Sequence, residues 1–278
     1  MTDKNNMKKL IVGNLKMNIL SPAERERYFK SFNNELGRKS FKKVEIIICP
    51  PFIHLESFAS NLGSKTVHPV KSAEGGAKQF NMVKIGAQDM HWEDRGSYTG
   101  GISPTMIKNT GAEYVIIGHS ERRKYFGETN EIVNLKIKSA LKNRLTPIVC
   151  IGETKEEKEM DITMDIIIQQ IREGLCDITR TQMDKIIFAY EPVWAVGSDV
   201  VPSSDEIMGA RLLIKKILTE KYGHKYIEKV KILYGGSVNY RIIKQVCIEP
   251  EMSGVLVGGE SLVPHDFIKI AQEIDSNS

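Results

Sequence analysis

The sequence predicts an α/β protein whose parallel sheet is either closed into a (β/α)8 barrel or wound open, and three observations carry that expectation. Eight short apolar runs rich in β-branched residues recur along the 278 residues. Longer stretches with helical spacing lie between them, the alternation of parallel βαβ units. The runs are apolar throughout rather than at every second position, as strands buried on both faces require.

The first strand is expected at Leu10–Val12. Ala23–Leu36 then has helical spacing, and Ser21-Pro22 ahead of it offers an N-cap followed by a first-turn proline. The second and third strands are expected at Val44–Cys49 and Val83–Ala87. Lys65–Asn81, weakly periodic and containing Gly, Lys and Ser, reads as a surface insertion just before the third. Tyr114–Ile117 and Pro147–Ile151 are the fourth and fifth strands, with a helix over Asn130–Lys142 between them. A helix over Met164–Leu175 leads to the sixth strand, Ile186–Ala189. The next helix, Ser204–Tyr222, opens on Ser203-Ser204-Asp205-Glu206, whose caps and acidic groups suit the positive end of a helix dipole. Val230–Leu233 and Gly254–Val257 complete the set, and disorder is expected only at the chain ends.

Composition narrows the class. Barrels of roughly 250 residues fold as one domain, so residues 1–278 are expected to form a single one. Hydrophobic residues make up 41% and charged residues 27%, as in an ordinary soluble protein. The net charge of +4 comes from scattered basic residues, which argues against a nucleic-acid partner. Cys49, Cys150, Cys176 and Cys247 form no CxxC pair, so reduced thiols in the cytoplasm are expected and a zinc site is not. Met1–Lys9 is polar and lysine-rich, and nowhere do 18 apolar residues run together, so neither a signal peptide nor a membrane span is expected.

The residues able to do chemistry gather where strands end. Gly13-Asn14-Leu15-Lys16-Met17-Asn18 follows the first strand, Gly118-His119-Ser120-Glu121-Arg122-Arg123 the fourth and Glu191-Pro192-Val193-Trp194 the sixth. In a barrel these meet at the C-terminal mouth, the usual place of catalysis. Tyr234-Gly235-Gly236-Ser237 and Gly258-Gly259 follow the last two strands. Glycine lets backbone N–H groups approach a ligand closely, and N–H groups at such turns bind phosphate.

These five segments, in this order and from end to end of the chain, resemble the signature segments of the triosephosphate isomerases. The resemblance implies a closed (β/α)8 barrel and an aldose-ketose isomerase of carbohydrate metabolism. It would interconvert glyceraldehyde 3-phosphate and dihydroxyacetone phosphate, with no metal or organic cofactor. It implies Glu191 as the base, His119 as the electrophile, Lys16 as a cation near the substrate oxygen, Asn14 as a positioning group and Glu121 beside the lysine. The amides of Gly197, Ser237, Gly258 and Gly259 would surround the phosphate, and Pro192–Ser203 would be a lid that shields the enediolate from water. A homodimer is implied, the loop bearing Thr99 reaching the partner's site. Elementary chemistry agrees. Removing a proton beside a carbonyl needs a base and something to stabilise the oxyanion that results. A histidine at the start of a helix stays neutral and donates a hydrogen bond.

Some positions depart from the family pattern. The lid tip reads Gly197-Ser198-Asp199-Val200-Val201-Pro202, where Gly-Thr-Gly-Lys-Thr-Ala is typical. Pro202 falls where a backbone N–H meets the residue matching Tyr234, and proline has none, so Tyr234 is expected to hold the lid differently. Asp199 places a carboxylate near the ligand, Glu260 stands where a small residue is usual, Gly101 where a Glu is, and Leu15 replaces a tryptophan. The altered lid, with Gln88-Asp89-Met90-His91-Trp92, also resembles a branch that isomerises four-carbon erythrulose phosphates, which is the alternative substrate. A non-catalytic sugar-phosphate-binding barrel is the second alternative, and the survival of Lys16, His119 and Glu191 argues against it.

Overall fold

The computed structural model describes residues 7–37, 39–63, 83–198 and 200–278, so the expected insertion at 65–81 and Asp199 lie outside the described residues. Eight parallel strands pair in chain order: β1 (Lys9–Asn14), β2 (Val44–Cys49), β3 (Val83–Ala87), β4 (Tyr114–Ile117), β5 (Thr146–Ile151), β6 (Ile187–Tyr190), β7 (Lys231–Tyr234) and β8 (Gly254–Val257). β8 returns to β1 with Leu10 opposite Gly254 and Gly13 opposite Val257, which closes the barrel and removes the open-sheet alternative.

Side-chain alternation splits the strands into two apolar layers. Leu10, Val12, Ile47, Cys49, Ile116, Ile148, Cys150, Ile187, Ala189, Leu233 and Leu256 form one buried cluster, the filled interior of the barrel. The intervening residues, such as Ile11, Ile46, Val115, Phe188 and Val255, join the larger cluster beneath the helices. Both faces being dry is why the strands read as continuous apolar runs.

The helices are α1 (Pro22–Leu36), α2 (Leu55–Leu62), α3 (Pro104–Asn109), α4 (Ser120–Phe126), α5 (Asn130–Lys142), α6 (Lys155–Glu159), α7 (Thr163–Gly174), α8 (Ser204–Tyr222), α9 (His224–Ile227) and α10 (Pro264–Asn277). Ser21 caps α1 by accepting the Glu24 N–H at 3.2 Å, with Pro22 in the first turn as expected. Ser203 and Glu206 form a reciprocal capping box at the start of α8. Two expectations need correction. β6 and β7 run one residue later, because Tyr190 pairs with Tyr234 in the ladder. The C-terminal end is helical to Asn277, because Phe267, Ile268, Ile270, Ala271 and Ile274 bury one face of α10. Cys49, Cys150 and Cys247 are buried free thiols, whereas Cys176 is exposed.

The consequence for the site is positional. Asn14, His119, Glu191, Gly235 and Gly258 all fall at or just beyond the C-terminal end of a strand, around one rim.

Candidate active site

Glu191 follows β6 directly, and its N–H continues the ladder to the Ile151 carbonyl at 2.8 Å. Its side chain is only 2% exposed. Oε2 accepts the Ser120 N–H at 3.0 Å, so the carboxylate rests against the first turn of α4. Oε1 lies 3.3 Å from His119 Nε2 and has no hydrogen-bond partner. A buried carboxylate oxygen without a partner is uncommon. The backbone opposite must be bare: a Cβ on Gly235 would stand 2.8 Å from Glu191 Cγ. Burial and the Glu191 carboxylate push the Cys150 thiol far up, so it stays neutral beside the base.

His119 is the N-cap of α4, and its Nδ1 accepts the Glu121 N–H at 3.2 Å. A ring nitrogen that accepts carries no proton, so the imidazole is neutral and its proton sits on Nε2. That is the donor expected of the electrophile.

Lys16 adopts φ +50°, a conformation a non-glycine residue holds only at a cost of about 1–3 kcal/mol. Its N–H donates to Asn14 Oδ1 at 3.0 Å, and its carbonyl accepts Gln88 Nε2 at 2.9 Å. Gln88 Nε2 also lies 2.9 Å from the Cys49 carbonyl, so one amide ties the Lys16 turn to β2. The Lys16 ammonium meets Glu121 Oε1 at 2.6 Å, which places Glu121 inside the site. A Cβ on Gly258 would stand 3.3 Å from Lys16 Cε, so the glycine leaves this side chain its path.

A cavity of about 320 Å³ opens over these groups, lined by Asn14, Lys16, His119, Gly197, Gly235, Ser237, Asn239, Gly258, Gly259 and Glu260. It thus unites every sequence-predicted residue except Glu121, which reaches it through Lys16, and Glu191, which sits beneath it against His119. Ser237 differs in detail from expectation. Its N–H and hydroxyl both donate to the Ala195 carbonyl, at 3.3 and 2.7 Å, so in this state they hold the lid rather than face the cavity. Burial raises the Glu260 carboxyl above its ordinary range, Asp266 adding to it and Arg241 opposing.

Three further residues escaped the sequence reading. Gln88 appeared there only within a loop motif. Glu153, buried just beyond β5, accepts the Trp194 indole N–H at 2.7 Å and the Tyr190 hydroxyl at 3.2 Å, and burial raises its carboxyl too. The signal for it existed, since a lone carboxylate at a strand end is the pattern that exposed Glu191. The Ser261 hydroxyl donates to Gly258 and stands 3.1 Å from the Asn14 carbonyl, lacing β8's loop to β1. The Tyr234 hydroxyl, expected to hold the lid differently because Pro202 has no N–H, is buried without a partner.

A larger cavity, about 660 Å³, lies behind the lid and is lined by Arg123, Lys124, Gln170 and Trp194 among others, but no base and imidazole converge there. Among the described residues no group of three or more His, Cys, Asp or Glu is placed to hold a metal ion, and no helix is long and apolar enough to cross a membrane.

Comparison with known proteins gives one consistent answer. Residues 9–274 match the family model for triosephosphate isomerase. The chain is 43% identical over 265 residues to the triosephosphate isomerase of Dictyoglomus thermophilum and 42% to that of Dictyoglomus turgidum, covering 95% of this chain and 99% of each relative. It is 41% identical over 263 residues to the triosephosphate isomerase of Alkaliphilus oremlandii, covering 95% of this chain and 98% of that one.

Proposed function

The chain belongs to the triosephosphate isomerase family and is an isomerase of the intramolecular oxidoreductase class, and on that premise we propose that it interconverts glyceraldehyde 3-phosphate and dihydroxyacetone phosphate with Glu191 as the base. The observation that carries the reading is the convergence of a buried carboxylate, a neutral imidazole and an ammonium beside a glycine-lined cavity.

The proposed course begins with the phosphate against the amides of Gly197, Ser237, Gly258 and Gly259. Glu191 leaves the Ser120 N–H, a charge-assisted bond of about 1.5–3 kcal/mol, and takes the proton from the carbon beside the carbonyl. His119 Nε2–H donates to the oxygen that becomes the enediolate, Lys16 lies beside that oxygen, and Asn14 orients the Lys16 turn. The proton on the neighbouring hydroxyl passes to this oxygen by way of His119 Nε2, and return of the proton from Glu191 to the neighbouring carbon completes the isomerisation.

Changing Glu191→Ala should lower kcat by roughly 10²–10⁴-fold with affinity for inorganic phosphate retained. Near-normal turnover would take the base role from it, whereas an inactive parent would revive the non-catalytic binding barrel. The second reading, a four-carbon erythrulose phosphate, draws support from Glu260, a hydrogen-bond acceptor in the cavity where a small residue is usual. Parallel assays on both substrates separate the two.

The reading extends to a cytoplasmic homodimer. Met17 is 89% exposed, and Leu20, Ile53 and Phe126 are also exposed. The His91 ring packs at a tilt against Trp92 and Tyr98 in the loop that bears the exposed Thr99. A second copy covering these groups would bury the apolar surface. We take residues 1–278 as one domain, with 65–81 as a surface insertion.

A further inference from the structure

Pro202, at the end of the lid segment, is buried, and its carbonyl accepts the side-chain amide of Gln245 at 2.8 Å. Proline fixes its own φ and brings no N–H, so a side chain can hold this residue by hydrogen bond only through the carbonyl. Gln245 is placed to do so by a single π-helical turn, Lys244–Ile248. Such turns are rare and change which side chains a helix presents at a given point. Here Val246 and Cys247 go into the core, while Gln245 and Glu249 meet the chain on either side of the α8 cap. The Ser204 hydroxyl donates to the Glu249 carboxylate, so residues 202 and 204 are both tied to the same turn. Between them Ser203 closes its capping box with Glu206. The Tyr234 hydroxyl is buried without a partner.

We infer that Gln245 is a positioning residue for the reaction: its amide fixes the C-terminal end of the lid at Pro202 and so sets how fully the lid covers the enediolate. The inference rests on the isomerase reading for its chemical consequence. An enediolate that is poorly covered decomposes. Its C1 oxyanion re-forms a carbonyl, the C1–C2 double bond moves to C2–C3, and the C3–O bond breaks with its electron pair to phosphate. The products are inorganic phosphate and the enol of methylglyoxal, and no oxidant or reductant is needed. Loss of the anchor should therefore change the partition between isomerisation and phosphate release, which loss of general stability does not do.

The test uses the full chain with Gln245→Leu and with Gln245→Glu, the second keeping the shape and losing the donor. Phosphate released per isomerisation of dihydroxyacetone phosphate should rise at least fivefold in both, with KM raised and melting temperature within a few degrees of the parent. Amide hydrogen exchange at Val200, Val201 and Ser203 should also quicken at least tenfold in both, and this arm works whether or not the chain turns over a triose. Unchanged exchange in folded variants overturns the inference, and so does an unchanged partition in an active enzyme. Failure of both variants to fold overturns it as well, because Gln245 would then be a stability residue. A parent that does not isomerise the triose but shows the exchange response refutes the functional reading and leaves the anchor standing.

Discussion

Gly235→Ala tests the placement of the base more finely than removal of Glu191 does. The glycine follows β7, donates its N–H to the Tyr190 carbonyl at 2.8 Å and is absent from the positions of positive φ, so alanine fits its backbone. The added methyl would meet Glu191 Cγ at 2.8 Å, whereas ordinary contacts of a Cβ begin at 3.4 Å. Cγ lies next to the backbone of Glu191 rather than at a free end, so it must yield by about 0.6 Å. A misplacement of about 1 Å costs on the order of 100-fold in rate, which scales to roughly 10–20-fold here. The loss should fall in kcat, since the methyl touches the base and not the amides around the phosphate. The assay is steady-state isomerisation of glyceraldehyde 3-phosphate, with inorganic phosphate as a competitive probe of the cradle. A variant within twofold of the parent in kcat would show that the close approach of residue 235 to Glu191 Cγ does not persist once the carboxylate leaves the Ser120 N–H. A loss confined to KM would move the clash to the phosphate side.

Two further outcomes follow from groups away from the base. Lys136, 3% exposed, holds Asp89 at 2.6 Å and also pairs with Glu128, so Lys136→Met leaves two buried carboxylates facing Arg122 and should destabilise by about 3–5 kcal/mol at pH 8. Burial already raises the Asp89 carboxyl to about 6, against about 3.9 unfolded. Without the lysine it rises further, so the folded variant gains protons as the pH falls. Its stability deficit should accordingly shrink as the pH falls from about 8 towards 6 in denaturant titrations, and a deficit constant over that range refutes the assignment. Met17→Glu should leave a folded monomer in sedimentation at micromolar concentration if the exposed face is the dimer contact, whereas an unchanged species argues against that face.

Much of this architecture is legible in the amino-acid order, for reasons that also mark where reading stops. The strands stand out because both faces are apolar, and the helices because capping groups announce them. Closure does not stand out: it depends on Leu10 pairing with Gly254, a contact between residues 244 apart that no local pattern encodes. Lys16, His119 and Glu191 are visible because polar residues at strand ends conflict with the surrounding pattern. Gln88 is not, because it acts on two main-chain carbonyls and any sequence offers many amides. Gln245 is hidden more deeply, since its direction depends on one π-helical turn, Lys244–Ile248, with turns rather than regular helix on either side.

The charges around the cavity bear on the proposed role of the lid. Lys16 is already neutralised by Glu121 at 2.6 Å, His119 is uncharged, and Glu191 and Glu260 each bring a carboxylate. The titratable groups here therefore offer a dianionic phosphate no net positive charge. Attraction has to come from oriented N–H dipoles, which weaken steeply with distance and with water between them. In the proposed reading Gly258 and Gly259 would supply those from the barrel itself and Gly197 only from the lid segment, while Ser237 is bonded to the Ala195 carbonyl. On that reading, binding of the phosphate and movement of the lid would be one event. A substitution that displaces the lid by a fraction of an ångström should accordingly alter phosphate affinity, even where it leaves Lys16, His119 and Glu191 untouched.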